Sequence, residues 1–230
     1  MPTDYNPVGS YLHQFDLPVD WDGMDVFLDF EGVESAFYVW VNGQEVGYSE
    51  DSRLPAHFNI TKLLQPGTNK LAVKVFRYSD GSYLEDQDYW KYSGIERNVF
   101  LYARPNTRLD DFKVLSELVN DYRDGDFKLT LDFNNPLKGY QADVKILDEK
   151  SNSVFTKNLK LAKDVNSYEL QTLLPEVASW NAETPNLYTL LVTLKDKKGR
   201  ELESIIHPFG FRSVEMKNGQ FLVNGSAVIM

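Results

Sequence analysis

The chain contains no cysteine. That excludes a disulfide framework, a thiol nucleophile and a thiolate metal site. It also lacks any apolar run near the about 18–20 residues that a membrane-spanning helix requires. Its first residues, Met1-Pro2-Thr3-Asp4-Tyr5-Asn6, carry neither the basic segment nor the apolar core of a secretory signal. Positive charge is scarce: 24 Lys and Arg face 34 Asp and Glu, for a formal charge of −10. No basic stripe stands out and a phosphate backbone would be repelled, so nucleic acid is removed as a partner. The three histidines, His13, His57 and His207, lie in separate stretches with no His-x-x-x-His spacing, which leaves catalytic zinc unsupported. Helical periodicity of ordinary length is missing too. A doubly wound sheet or a (β/α)8 barrel needs regular β/α alternation, so neither fits these residues.

What is present is a chain of 230 residues, 42% hydrophobic and 13% aromatic. Such a composition supports packed cores in one large or two ordinary domains. Alternating or β-branched runs predict strands over residues 11–17, 25–30, 36–41, 45–48, 71–77 and 98–103. Asn42-Gly43 between two of them predicts a tight hairpin. Thr61 is read as the cap of a helical turn ended by Pro66-Gly67. Trp40 alternates with Tyr38 on one strand face and is assigned to the core. Arg104-Pro105-Asn106 reads as a linker. Beyond it, evenly spaced charged strands over residues 111–118, 126–133, 141–147, 153–161, 167–170, 187–194 and 201–211 give the pattern of two packed antiparallel sheets. Residues 214–230 read as consecutive hairpins that stop on the apolar Ala227-Val228-Ile229-Met230. The expected organisation is a first domain over 1–104, a second over 105–213, and a tail over 214–230. Because the chain begins almost directly in a strand and stops on an apolar one, it is expected to be a piece of something longer.

One stretch stands apart. Residues 79–95 read Ser-Asp-Gly-Ser-Tyr-Leu-Glu-Asp-Gln-Asp-Tyr-Trp-Lys-Tyr-Ser-Gly-Ile. Four carboxylates (Asp80, Glu85, Asp86, Asp88) sit among four aromatics (Tyr83, Tyr89, Trp90, Tyr92). Irregular backbone between strands must find its hydrogen bonds away from the ladder. Carboxylates that accept hydroxyl protons beside flat apolar rings suit a sugar site. The same residues also fit a solvated loop whose rings cover the edge of the core. Asp80-Gly81 reads as a turn. Trp90 and Tyr92 are read first as rings buried under the loop, with stacking on a sugar as the second reading. Glu85, Asp86 and Asp88 are an alternative calcium set, although their spacing is not that of an EF-hand. Arg53 is read either as a bidentate partner that holds the acidic loop or as a solvent-exposed cation.

The residues 35–43, Ser-Ala-Phe-Tyr-Val-Trp-Val-Asn-Gly, with Val46-Gly47-Tyr48, Asp51-Ser52-Arg53-Leu54-Pro55 and the 79–94 stretch, resemble the amino-terminal sugar-binding domain of β-galactosidases of glycoside hydrolase family 2. Trp180, Glu183, Pro185, Asn186-Leu187-Tyr188 and Phe209-Gly210-Phe211-Arg212 are similar to that family's immunoglobulin-like domain. Leu222-Val223-Asn224-Gly225 resembles the hairpin that leads into its catalytic barrel. The implied fold is all-β: a galactose-binding-like jelly-roll β-sandwich, short of its first strands, followed by an immunoglobulin-like β-sandwich.

The resemblance implies hydrolysis of terminal β-galactosides with retention, which uses two carboxylates about 5–5.5 Å apart. In the family both are glutamates on a barrel that itself needs roughly 200 residues or more. None remain here, and the family's Asn-Glu signature is absent, so no catalytic residue is assigned and the chain alone is expected to be inactive. Asp88 matches the family aspartate that reaches a galactose hydroxyl and a bound sodium ion, and Trp90 is a weaker substrate-binding candidate. Sodium, with magnesium as a further candidate, is implied for the longer enzyme and not for this chain by itself. The implied partners are a galactoside, the catalytic barrel and further copies of the same chain, with no nucleic acid and no membrane. The compartment is left open between cytoplasm and periplasm. Two other readings are kept beside this one: a stand-alone carbohydrate-binding module, and a purely structural or assembly role.

Overall fold

The computed structural model describes residues 5–85 and 90–228. They form two compact units that divide between Asn106 and Thr107. Both are β-sandwiches. No helix among the described residues is long and apolar enough to cross a membrane.

The strands of the first unit are β1 (Val8–Phe15), β2 (Asp25–Phe30), β3 (Val33–Glu34), β4 (Ala36–Val41), β5 (Gln44–Ser49), β6 (Ala56–Asn59), β7 (Asn69–Phe76), β8 (Gly94–Ile95) and β9 (Val99–Arg104). They make an antiparallel sheet in the order β1-β7-β4-β5, a second in the order β6-β2-β9, and the short pair β3-β8. Side chains alternate between the faces of a strand. Phe37, Val39 and Val41 of β4 and Leu71, Val73 and Val75 of β7 therefore point inward, where they meet Val26, Leu28 and Phe30 of β2 in one buried cluster. This is the jelly-roll sandwich.

The predicted hairpin is there. Asn42 and Gly43 have φ of 51° and 79°, the left-handed values that a two-residue turn matching strand twist demands. Asn42 also donates through Nδ2 to the Leu63 carbonyl (2.9 Å) and accepts the Lys70 N–H (2.9 Å), so the turn is tied into the layer beside it. Thr61 begins a single 3-10 turn, Thr61–Leu63. Its hydroxyl does not cap that turn; it accepts the Val26 N–H at 2.9 Å. Trp40 is the clearest departure from the sequence reading. It does share a face with Tyr38, but that face is the outer one, because the inward positions of β4 are Phe37, Val39 and Val41. There Tyr38 packs on Trp40 (5.9 Å between centroids), Tyr48 (4.7 Å) and Phe76 (6.1 Å). His57 pairs through Nδ1 with the buried Asp29 at 3.1 Å.

The second unit adds β10 (Leu109–Val119), β11 (Asp124–Phe133), β12 (Gln141–Leu147), β13 (Ser153–Lys160), β14 (Ser167–Leu174), β15 (Tyr188–Lys195) and β16 (Glu201–Phe209). The sheets β10-β11-β14 and β13-β12-β15-β16 give the immunoglobulin-like sandwich. Phe127, Leu129 and Leu131 of β11 face Val144 and Ile146 of β12 and Leu190, Val192 and Leu194 of β15 in its core. Trp180 anchors the loop before β15: its N–H donates to the Phe211 carbonyl (2.8 Å), its carbonyl accepts from Asn224 Nδ2 (2.9 Å), and Arg212 lies over its ring at 5.0 Å. The tail forms β17 (Val214–Lys217), β18 (Gln220–Val223) and β19 (Ser226–Ala227) in one small sheet.

The turn between β10 and β11 carries three consecutive non-glycine residues at positive φ, Asn120, Asp121 and Tyr122. That conformation costs about 1–2 kcal/mol per residue. Asp124 offsets it by gathering donors: Asn120 Nδ2 at 2.8 Å, the Glu176 N–H at 3.0 Å and Arg123 Nε at 3.3 Å. The same donors, Asn120 first, pull its carboxyl from 3.8 down to about 2. A depressed carboxyl stabilises the fold above its unfolded pKa and loses that contribution as pH falls through the folded one. Asp124→Asn is therefore expected to lower the urea midpoint at pH 7. The gap to wild type should close as pH falls from about 4 towards about 2, as read from denaturation curves along that series.

Candidate functional site

The 79–95 stretch leaves β7 and returns through β8. Its incoming limb is fastened first by Asn6, which donates through Nδ2 to the Tyr78 carbonyl (2.9 Å) and accepts the Tyr78 N–H (3.0 Å). A single helical turn follows, α1 (Gly81–Leu84). Asp80-Gly81 is thus the start of a helical turn and not a free reversal. Asp80 Oδ1 accepts the Gly81 N–H (3.2 Å), and the Ser79 N–H donates to Ser82 Oγ (3.0 Å). Glu85 closes this limb: both its carboxylate oxygens lie 3.4 Å from the Ser52 N–H.

The outgoing limb begins at Trp90. Trp90 and Tyr92 are 78% and 71% exposed, and their rings stack at 6.4 Å with an interplanar angle of 27°. The reading that buried both rings under the loop is overturned. The core below is already filled by β2, β4 and β7 side chains, so the two rings lie outside it and pack on each other. Trp90 therefore presents an open aromatic face. Asp86 and Asp88 lie outside the described residues. The substrate and sodium roles given to Asp88, and the calcium set of Glu85, Asp86 and Asp88, therefore have no geometry here. Among the described residues no group of three or more His, Asp and Glu is placed to hold a metal.

Two residues that the sequence reading did not single out complete the anchorage. Glu34 at the end of β3 accepts the N–H groups of Tyr92 (3.0 Å) and Ser93 (3.2 Å) on one oxygen. Glu96, just after β8, takes Arg53 Nη1 at 2.7 Å, while Arg53 Nη2 lies 4.0 Å from Glu34. Arg53 is thus held by the carboxylates that flank the return of the loop. The available signal was a carboxylate between Val33 and Ser35, just before the apolar run of residues 36–41, where only a paired charge survives burial. A separate cavity of about 640 Å³ is lined by Asp16, Trp21, Asp25, Thr61 and Gln65 among others, and it shares none of the described residues of the loop.

Burial first, then its hydrogen bond to Glu34, raises the Glu96 carboxyl above its ordinary 4.5, against the pull of Arg53. A raised acid stabilises the fold while protonated and loses that contribution as pH rises through the folded pKa. Relative to Glu96→Gln, which cannot ionise, the urea midpoint of wild type is expected to fall as pH climbs above 4.5 through that raised value.

Two family models match the chain. Residues 1–105 match the sugar-binding domain of glycosyl hydrolases family 2, and residues 107–212 match a second domain of the same family. The chain is 43% identical to a β-galactosidase of Priestia megaterium, over 100% of this chain and 23% of that protein. It is 40% identical to the β-galactosidase large subunit of Latilactobacillus sakei, over 99% of this chain and 36% of that one. It spans about a quarter to a third of the length of these curated relatives. Its fold is shared with Bacteroides uniformis β-glucuronidase 2 at a TM-score of 0.84 and 24% identity, covering 96% of this chain and 28% of that one. With both of its sandwiches matched by domains of one family, the chain belongs to glycosyl hydrolases family 2.

Proposed function

We propose that this chain serves a β-galactosidase as its non-catalytic sandwiches, with the 79–95 loop forming one wall of a galactoside pocket. The supporting observation is 43% identity along the whole chain to a β-galactosidase of which it covers only 23%. Retaining hydrolysis needs two carboxylates facing the same glycosidic bond. The carboxylates described around the loop are committed elsewhere: Glu34 to the Tyr92 and Ser93 amides, Glu85 to Ser52, and Glu96 to Arg53. They act as scaffold. The catalytic pair then belongs to the remaining length of the relatives, and this chain supplies a polar side chain and an aromatic face.

In this reading Asp88 accepts a galactose hydroxyl and offers an oxygen to sodium. The other ligands of that ion, and any magnesium, come in this reading from the rest of a longer enzyme. Assembly of that enzyme from several copies belongs to the same proposal.

The exposed Trp90–Tyr92 pair favours a second reading, a module that binds sugar by itself through ring stacking. Two measurements on the purified chain separate the two. With a chromogenic β-galactoside, no turnover is expected; turnover lost in Asp88→Ala would sink the non-catalytic reading. In calorimetric titration with galactose and lactose, no heat of binding is expected at millimolar sugar. A millimolar or tighter site that disappears in Trp90→Ala would establish the binding module instead.

A further inference from the structure

The short pair β3-β8 has only two residue pairs, Val33 with Ile95 and Glu34 with Gly94. A ladder of that length fixes little direction for the chain that precedes it. Yet the backbone leading into β8 is extended in its hydrogen bonding by a side chain. Glu34 Oε2 takes the N–H of Tyr92 at 3.0 Å and that of Ser93 at 3.2 Å. Successive amides converging on one anion form a nest, which requires left-handed backbone beside it. Ser93 and Gly94 provide this at φ of 66° and 109°. The Glu34 side chain is only 9% exposed. A carboxylate removed from water to that extent is tolerated because it is satisfied, here by two amides and by Arg53 at 4.0 Å.

We propose that Glu34 is the positioning residue of the 79–95 loop: by gathering the Tyr92 and Ser93 amides it sets where the loop rejoins the sandwich, and so where Trp90 and Tyr92 are presented. Arg53 and Glu96 have a supporting part. Their ion pair at 2.7 Å holds the cation beside Glu34 and joins the connection after β5 to the residue that follows β8. A neutral acceptor at position 34 keeps part of this arrangement, and a methyl group keeps none. The role in presenting a sugar-facing surface rests on the pocket-wall reading above; the hold on the two amides does not.

Amide hydrogen exchange on the chain as it stands tests the assignment. In Glu34→Ala the Tyr92 and Ser93 amides are expected to exchange about ten- to hundredfold faster than in wild type, the loss of charge-assisted hydrogen bonds, while Val39 and Val73 in the core keep their rates. Glu34→Gln retains an acceptor oxygen and is expected to fall between the two. It also carries the test by itself if the alanine variant fails to fold. Wild-type exchange at Tyr92 and Ser93 in either variant overturns the proposal, and so does acceleration spread equally over β4 and β7. Neither result touches the pocket-wall reading, which stands or falls on the sugar titration and turnover assay.

Discussion

Side chains on a strand alternate between two faces, and both units depend on the inward face being apolar along every central strand. In the first, β4 contributes Phe37, Val39 and Val41 and β7 contributes Leu71, Val73 and Val75, against β2 from the opposite sheet. In the second, β11, β12 and β15 do the same with Phe127, Val144 and Leu190 among others. Burying such side chains stabilises each by about 1.5–3 kcal/mol, and a slip of one residue would reverse every one of them. Everything at the candidate site is mounted on strands whose register is held in this way.

The loops obey a different constraint. Backbone away from a ladder still carries one N–H and one C=O per residue, and buried ones must be paired. Here carboxylates and amides do much of that pairing. Glu34 holds Tyr92 and Ser93, Asn6 holds Tyr78, Asn42 joins Leu63 and Lys70, and Asp124 gathers Asn120, Arg123 and Glu176. An abundance of acidic residues that composition reads as solvated surface is, at these positions, the means of fastening irregular chain. This also bears on function. Carboxylates already engaged with backbone are poor acids or nucleophiles, so Glu34 and Glu85 serve positioning, and the sugar contact in the proposed reading falls to Asp88 and to the open ring of Trp90.

Much of the fold was legible because strand periodicity and turn chemistry are local. The strand at 25–30, the Asn42-Gly43 hairpin and the strand at 141–147 lie where their sequences place them. The resemblance carried by the 79–94 stretch and by Phe209-Gly210-Phe211-Arg212 was also legible, and two matching family models bear it out. Errors came where a property depends on what lies across the fold. Trp40 and Tyr38 alternate correctly, but alternation alone does not say which face is inward. Trp90 and Tyr92 look like core aromatics by type, yet the core beneath them is already full.

Sequence by itself determined the all-β class, the two sandwiches, the family and the position of the acidic–aromatic loop, because each rests on residue order along the chain. Only the tertiary structure decided how that loop is held. Glu34, Arg53 and Glu96 are separated by up to 62 positions and meet only once β3, the connection after β5 and the end of β8 are brought side by side. A carboxylate's role is fixed by the donors that fold around it, and those donors are set by sheet topology, which no local pattern encodes.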